Sequence, residues 1–310
     1  MNPPLSDVAN TLATLRDYIR WGASRFNEAE LCFGHGTASA LDEAAAIVLY
    51  GLHQPYDLAP VYLDSVLTPA ERVAVIDLIE QRIATRKPAA YLTHEALFAG
   101  LTFYVDERVL VPRSPIAELI EAQFSPWLEA DAVANILDLC TGSGCIAIAC
   151  ALAFPNARVD ALDLSDEALA VAQINIERYG LSDEMGLLKS DLFADLPAKH
   201  YDLIVSNPPY VALEEWQNLP REFHHEPAMG FKGGKTGLDL VLRILSEANK
   251  FLTERGILVI EVGSSAETLQ NLFPTVPFYW LDFERGGDGV LLLTAEQLSL
   301  YTPLFEQALS

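Results

Sequence analysis

The chain has 310 residues, 51% of them hydrophobic and 20% charged, which suits one large folded domain plus a smaller one and excludes a disordered chain. Lys and Arg number 20 against 43 Asp and Glu, a net charge of −23 that repels polyanions and attracts basic partners. No Lys/Arg run supplies the footprint that duplex binding needs.

The four cysteines, Cys32, Cys140, Cys145 and Cys150, lack zinc spacing, and three share one strand-turn-helix segment, as small core residues of a reduced protein do. The N-terminal stretch MNPPLSDVAN has no basic region leading into an apolar run, and the apolar runs are too short to span a bilayer. No signal peptide is expected, and the expected location is cytoplasmic.

In chain order, the first stretch, to about Leu97, reads as a small helical domain. Leu12, Leu15 and Ile19 recur at helical spacing, as do Val73, Ile76, Ile79 and Ile83, with Thr68 as N-cap and Pro69 at the first helical position. A further helix is expected over 42–50. Two β-rich runs, 101–105 and 108–111, flank Asp106-Glu107 and predict a hairpin bridging the domains, stopped by Pro112 and Pro115. A helix follows over 116–124.

From Ala134 onward strands and helices alternate. Strands are expected at 135–140, 158–164, 186–189, 201–207 and 256–262, and helices at 143–153, 166–179 and 238–251. Near-continuous apolar strands separated by helices imply a parallel sheet covered on both faces. The runs 278–284 and 290–294, joined by Arg285-Gly286-Gly287-Asp288-Gly289, predict a terminal antiparallel hairpin.

Two motifs carry the chemistry. The first is the turn Cys140-Thr141-Gly142-Ser143-Gly144, which leaves the first strand of this region and opens a helix. Its glycines permit positive φ and close ligand approach, and the helix start offers free N–H groups. A dinucleotide site needs a third glycine, where Ala147 stands; the Asp-Leu-x-x-Gly-x-Gly form suits S-adenosylmethionine better. Asp163, about 20 residues on, falls in the register of a ribose-binding carboxylate. A helix cap is its alternative, for which Ser165 and Asp166 compete. Asp191, with Leu192 beside it, follows the third strand at the expected adenine edge.

The second motif, Asn207-Pro208-Pro209-Tyr210, ends a buried strand. The two prolines stop the ladder and fix an extended turn without N–H donors. The Asn207 side chain and the carbonyls of Asn207 and Pro208 can then accept both hydrogens of a planar NH₂ group, with Tyr210 as an aromatic face. That arrangement suits methyl transfer to a weakly nucleophilic nitrogen, where positioning and polarisation do the work. Asn207, Pro208 and Tyr210 are the expected catalytic residues, and Asn207 also borders the cofactor. His224-His225-Glu226 is not read as a metal site, and no metal is expected. The stretch 230–237 reads as a mobile flap beside the substrate, and Glu261 as a structural residue.

These segments resemble the protein-glutamine N-methyltransferases that modify translation proteins. The resemblance spans nearly the whole chain. It implies a class I S-adenosylmethionine-dependent methyltransferase fold, with a seven-stranded, mostly parallel sheet behind a helical domain. The implied boundaries are 1–97 for a helical substrate-recognition domain, 98–115 for the bridge and 116–310 for the catalytic domain. The segments 104–115, 138–145 and His225-Glu226-Pro227 favour the branch acting on large-subunit ribosomal protein L-three, a basic protein. The release-factor branch carries Pro where this chain has Ser114 and Gly where it has Cys140. In the family the glycine turn and Asp163 hold the cofactor, and Asn207 to Tyr210 hold the target glutamine. Rival expectations are a release-factor methyltransferase, an adenine-amine DNA methyltransferase, a nicotinamide enzyme, and a non-catalytic ribosome assembly factor.

Overall fold

The computed structural model describes residues 5–309, so Met1 to Pro4 of the N-terminal stretch lie outside the described residues. The chain divides into two compact units. One comprises the residues up to Glu95 together with Pro220–His225; the other comprises Ala96–Leu219 and Glu226–Ser310.

The first unit is built from α1 (Leu5–Thr11), α2 (Leu15–Glu28), α3 (Ala40–Gly51), α4 (Pro69–Thr85) and the short α5 (Ala89–Thr93). The expected Leu12–Leu15–Ile19 repeat spans a break. Thr14 accepts from the N–H of Asp17 while the Asp17 carboxylate accepts from the N–H of Thr14, a reciprocal cap that starts α2 after Leu12. Thr68 and Glu71 cap α4 in the same way, with Pro69 at its first position. On α4 the buried stripe is Val75, Ile76, Ile79 and Arg82, while Val73 faces solvent. Arg82 replaces an aliphatic at the stripe's end because Glu43 on α3 meets its Nε at 2.6 Å, both side chains being fully buried. The core of this unit includes Tyr18, Phe26, Ala44, Ile47 and Val48. The Pro220–His225 segment joins the unit through Glu222, which pairs with Arg86 at 2.7 Å and accepts from the N–H of Cys32.

A two-stranded ribbon, β1 (Glu95–Phe98), which starts one residue before the second unit, and β2 (Leu101–Tyr104), joined at Ala99-Gly100, opens the second unit. Both turn residues have positive φ, as the tight hairpin turn that matches strand twist requires. The predicted hairpin was therefore one strand too late. Residues 108–111 are not strand; Val109 and Val111 are buried as packing residues of an irregular segment. Next come α6 (Ile116–Glu121), β3 (Asn135–Leu139), α7 (Cys145–Ala153), β4 (Arg158–Asp163), α8 (Asp166–Tyr179), β5 (Met185–Lys189) and β6 (Tyr201–Ser206). They are followed by α9 (Leu213–Gln217), α10 (Asp239–Glu247), β7 (Leu252–Glu261), α11 (Ala266–Leu272), β8 (Tyr279–Trp280), β9 (Val290–Thr294) and α12 (Ala295–Leu309). Both α11 and α12 were unanticipated, and α12 carries Pro303 in its interior.

Seven strands form one sheet in the order β5-β4-β3-β6-β7-β9-β8, parallel from β5 to β7, with β9 antiparallel to both β7 and β8. Alternate strand residues feed two cores. Ile136, Val159, Val205 and Val259 pack with α6 and α7, while Leu137, Leu162, Ile204 and Ile260 pack with α10 and α12. This is the seven-stranded class I methyltransferase arrangement. The chain reverses its progress across the sheet between β3 and β6, and the crevice beyond their carboxyl ends is where open α/β sheets bind ligands.

Candidate active site

Both predicted motifs emerge at that crevice. Leu139 and Ser206 are register partners, and the Ser206 hydroxyl donates to the Leu139 carbonyl at 2.8 Å. The glycine turn and the Asn-Pro-Pro-Tyr segment therefore leave adjacent strands side by side.

The turn is left-handed at Cys140, Gly142 and Gly144, with φ of 61°, 55° and 80°. Cys140 tolerates this as a half-buried side chain whose thiol pKa is pushed up by burial. Gly144 faces Ala172 so closely that an added Cβ would stand 3.2 Å from its methyl. Gly142 faces open space, with no atom within 4 Å of such a Cβ. That opening leaves room for a ligand against the turn.

Asp138 anchors the turn from below. Its Oδ2 accepts from Thr141 Oγ1 at 2.6 Å and from the N–H of Ala147 at 3.2 Å, while no partner among the described residues reaches the buried Oδ1. Burial pushes its pKa up to about 7. Asn175, fully buried, ties the turn to β2: its Nδ2 donates to the carbonyls of Ser143 and Tyr104, and its Oδ1 accepts from the N–H of Tyr104.

Asp163 stands at the end of β4. It accepts from the N–H of Gly142 at 2.9 Å through Oδ2 and from the N–H of Ser165 at 2.9 Å through Oδ1. The cap of α8 is Ser165, which accepts from the N–H of Ala168, so Asp163 is free of that duty. Its pKa is raised by burial, against which these amides pull it down. Asp191 lies two residues past β5, half-buried, and meets Arg243 of α10 at 2.9 Å. Beside it Leu192 is buried in a left-handed conformation, its carbonyl accepting from Ser190 Oγ.

In the second motif Pro208 is buried and Asn207, Pro209 and Tyr210 are half-buried. Among the described residues no donor reaches the Asn207 side chain or the Pro208 carbonyl. The Tyr210 carbonyl, by contrast, accepts from Ser265 Oγ at 2.8 Å, and the Tyr210 hydroxyl donates to Glu261 at 2.9 Å. The acceptors at the start of the motif are thus available to a ligand, and its far end is fixed.

The glycine-rich stretch after the motif is not a detached flap. Val211 donates to the Phe231 carbonyl at 2.8 Å, Gly233 to Val211 at 3.0 Å and Leu213 to Gly234 at 3.1 Å. Gly233 is required because an added Cβ would stand 2.7 Å from the Pro209 carbonyl. His224 and His225 close the short 3₁₀ turn Arg221–His225, while Glu226 turns to Arg113, which grips it with both terminal nitrogens at 2.8 and 2.9 Å. Among the described residues no group of three or more His, Cys, Asp or Glu is placed to hold a metal, and no helix is long and apolar enough to cross a membrane.

Asn175 and Arg113 are absent from the expected site residues, and Ser114 and Glu226 enter there only as branch markers; all four act through partners distant in the chain. Glu261, expected as a structural residue, accepts from the Tyr210 hydroxyl.

The family profile described as Methyltransferase small domain matches residues 123–226. A ribosomal protein uL3 glutamine methyltransferase of Francisella tularensis is 47% identical over 302 residues, 97% of this chain and 96% of the relative. Relatives with the same description from Xanthomonas campestris and Bordetella pertussis are 52% and 50% identical, covering 94% and 93% of this chain and 94% and 97% of their own lengths.

Proposed function

The chain belongs to the family of ribosomal protein uL3 glutamine methyltransferases, and from that premise we propose that it methylates the side-chain amide nitrogen of a glutamine in uL3, with S-adenosylmethionine as donor. The observation that carries this reading is the pair of unengaged acceptors, Asn207 and Pro208, beside the open face of Gly142 at the sheet's switch point.

An amide nitrogen is a poor nucleophile because its lone pair is delocalised into the carbonyl. Asn207 Oδ1 and the Pro208 carbonyl accept its two hydrogens, which draws electron density onto nitrogen and fixes its direction. Tyr210 bounds the flat amide group. S-adenosylmethionine, when bound, supplies an electrophilic methyl on a sulfonium. With the cofactor in place, Asn207, Pro208 and Tyr210 would hold the amide nitrogen with its lone pair facing the methyl group, and the amide proton displaced on transfer would pass to water. The remaining work is alignment, which can contribute several kcal/mol to the barrier reduction.

Gly142, Gly144 and Asp163 are assigned to cofactor binding, with Cys140, Thr141 and Ser143 shaping the turn. The Asp191 carboxylate already has Arg243 as a partner, so its assigned role at the adenine edge is shared with that ion pair. Recognition of the ribosomal protein is assigned to the helical unit, which exposes Val61, Tyr62 and Val66 around one short turn. The charge of −23 favours a basic substrate over duplex DNA, and the cytoplasm is where such a substrate is made. Purified protein should transfer label from S-adenosylmethionine to uL3. Labelling of release factor alone or of duplex DNA alone would overturn the substrate assignment.

A further inference from the structure

Glu261 ends β7 with its side chain buried, and both of its oxygens are taken by hydroxyls. Ser114 Oγ–H donates to Oε2 at 2.5 Å and the Tyr210 O–H donates to Oε1 at 2.9 Å. Among the described residues no ion pair involves Glu261; the nearby Arg113 is engaged by Glu226. The strand does not need this carboxylate, because the pairing of Glu261 with Val290 is made by backbone groups. A buried carboxylate without a bonded cation is an unfavourable way to fill space, so its two directed hydrogen bonds are the feature to explain.

One of those bonds ends on the hydroxyl of the Tyr210 ring. Gly263 lies flat against it, since an added Cβ would fall 2.3 Å from Tyr210 Cε2. Ser265 Oγ holds the Tyr210 carbonyl and also donates to the Thr236 carbonyl at 3.2 Å. Ser114 is itself oriented, because its oxygen accepts from the N–H of Ile116 at 3.2 Å and its hydrogen is thereby directed at Glu261. Tyr210 is therefore fixed at its ring face, its backbone and its hydroxyl, and Glu261 is the only one of these contacts that sets the hydroxyl end.

We propose that Glu261 is a positioning residue for methyl transfer: anchored by Ser114, it locks the Tyr210 ring as the wall against which the substrate amide is held. The proposal rests on the reading of Asn207 to Tyr210 as an amide clamp. Glu261 acts only through Tyr210, so removing either end of their hydrogen bond has the same consequence as removing both.

A double-mutant cycle tests this, with wild type, Glu261→Leu, Tyr210→Phe and the double variant assayed on purified uL3 with radiolabelled S-adenosylmethionine. Each single substitution should lower kcat/KM roughly tenfold, and the double variant should also fall by only about tenfold. Cofactor affinity by calorimetry should be unchanged in all four. Independent losses that multiply to about a hundredfold would overturn the proposal, as would a loss of cofactor affinity matching the loss in rate. Should Glu261→Leu fail to fold, the cycle of Ser114→Ala with Tyr210→Phe takes its place. Ser114→Ala should then lower the rate a few-fold in wild type and not at all in Tyr210→Phe, and an undiminished effect there would contradict it. A wild-type protein that labels no uL3 would sink the amide-transfer reading and this proposal together, whereas active wild type with multiplying losses removes the proposal alone.

Discussion

The N–H of Gly142 donates to the carboxylate of Asp163 at 2.9 Å, next to the bond from the Thr141 N–H to the Leu162 carbonyl that continues the pairing of β3 with β4 into the glycine turn. One oxygen of Asp163 thus shapes the glycine turn, and the same carboxylate keeps lone pairs for a ribose hydroxyl. Asp163→Ala should weaken S-adenosylmethionine binding by one to two orders of magnitude, on the order of 1.5–3 kcal/mol for a charged acceptor. Isothermal calorimetry measures it, and unchanged affinity would remove Asp163 from the cofactor site.

Asn207→Ala should reduce kcat at least about a hundredfold, because it removes one of the two acceptors to which the proposal assigns polarisation of the amide. Asn207 lies at the surface of the crevice, so the melting temperature should change by no more than a few degrees. Rate assays paired with thermal melts separate the two effects. A variant that keeps wild-type turnover would show that the clamp lies elsewhere.

The first of these sites was legible in the sequence because glycine and proline punctuate it. Gly142, Gly144, Pro208 and Pro209 each fix a backbone geometry that only those residue types supply readily, and each follows an apolar run long enough to be a buried strand. What supports the site was not legible. Ser114 and Glu261 are 147 positions apart, and Arg113 and Glu226 are 113 apart; no local pattern announces such pairs. The hairpin was misplaced because Val109 and Val111 look like strand residues yet are buried by packing alone, while the real turn places Ala99, not a usual left-handed residue, at positive φ. Leu12 misled in the same manner, since spacing alone does not reveal that Thr14 and Asp17 cap a new helix.

Asp138 gives the fold a pH dependence. Its folded pKa is raised to about 7 from an ordinary 3.8, chiefly by burial. The folded state therefore prefers the protonated acid, and the stability this confers is present below about pH 4 and lost as pH rises towards 7. Burial raises Asp163 and Glu261 in the same direction. The melting temperature of the cofactor-free protein should fall by several degrees between about pH 5 and pH 8, and Asp138→Asn should flatten much of that slope. An unaltered slope in Asp138→Asn would show that other groups set it.

In the helical unit, Glu43 and Arg82 form a fully buried ion pair, with Glu43 also accepting from Thr37 Oγ1 and Arg82 donating to the Cys32 carbonyl. Removing one partner strands the other charge away from water. Arg82→Ala should destabilise that unit by about 3–5 kcal/mol, read by denaturant unfolding. Replacing both with Met or Leu should recover much of the loss, whereas equal losses in the single and double variants would point to packing volume as the cause.

The central claim is that Asn207 and Pro208 present a glutamine amide of uL3 for methylation. Its most direct test incubates the purified protein with radiolabelled S-adenosylmethionine and, separately, with uL3, a release factor and duplex DNA, then maps the label by peptide mass analysis. The account predicts a single methyl on a glutamine side chain of uL3, absent with Asn207→Ala. Label on a base, on a release factor alone, or on uL3 at a residue other than glutamine would contradict it.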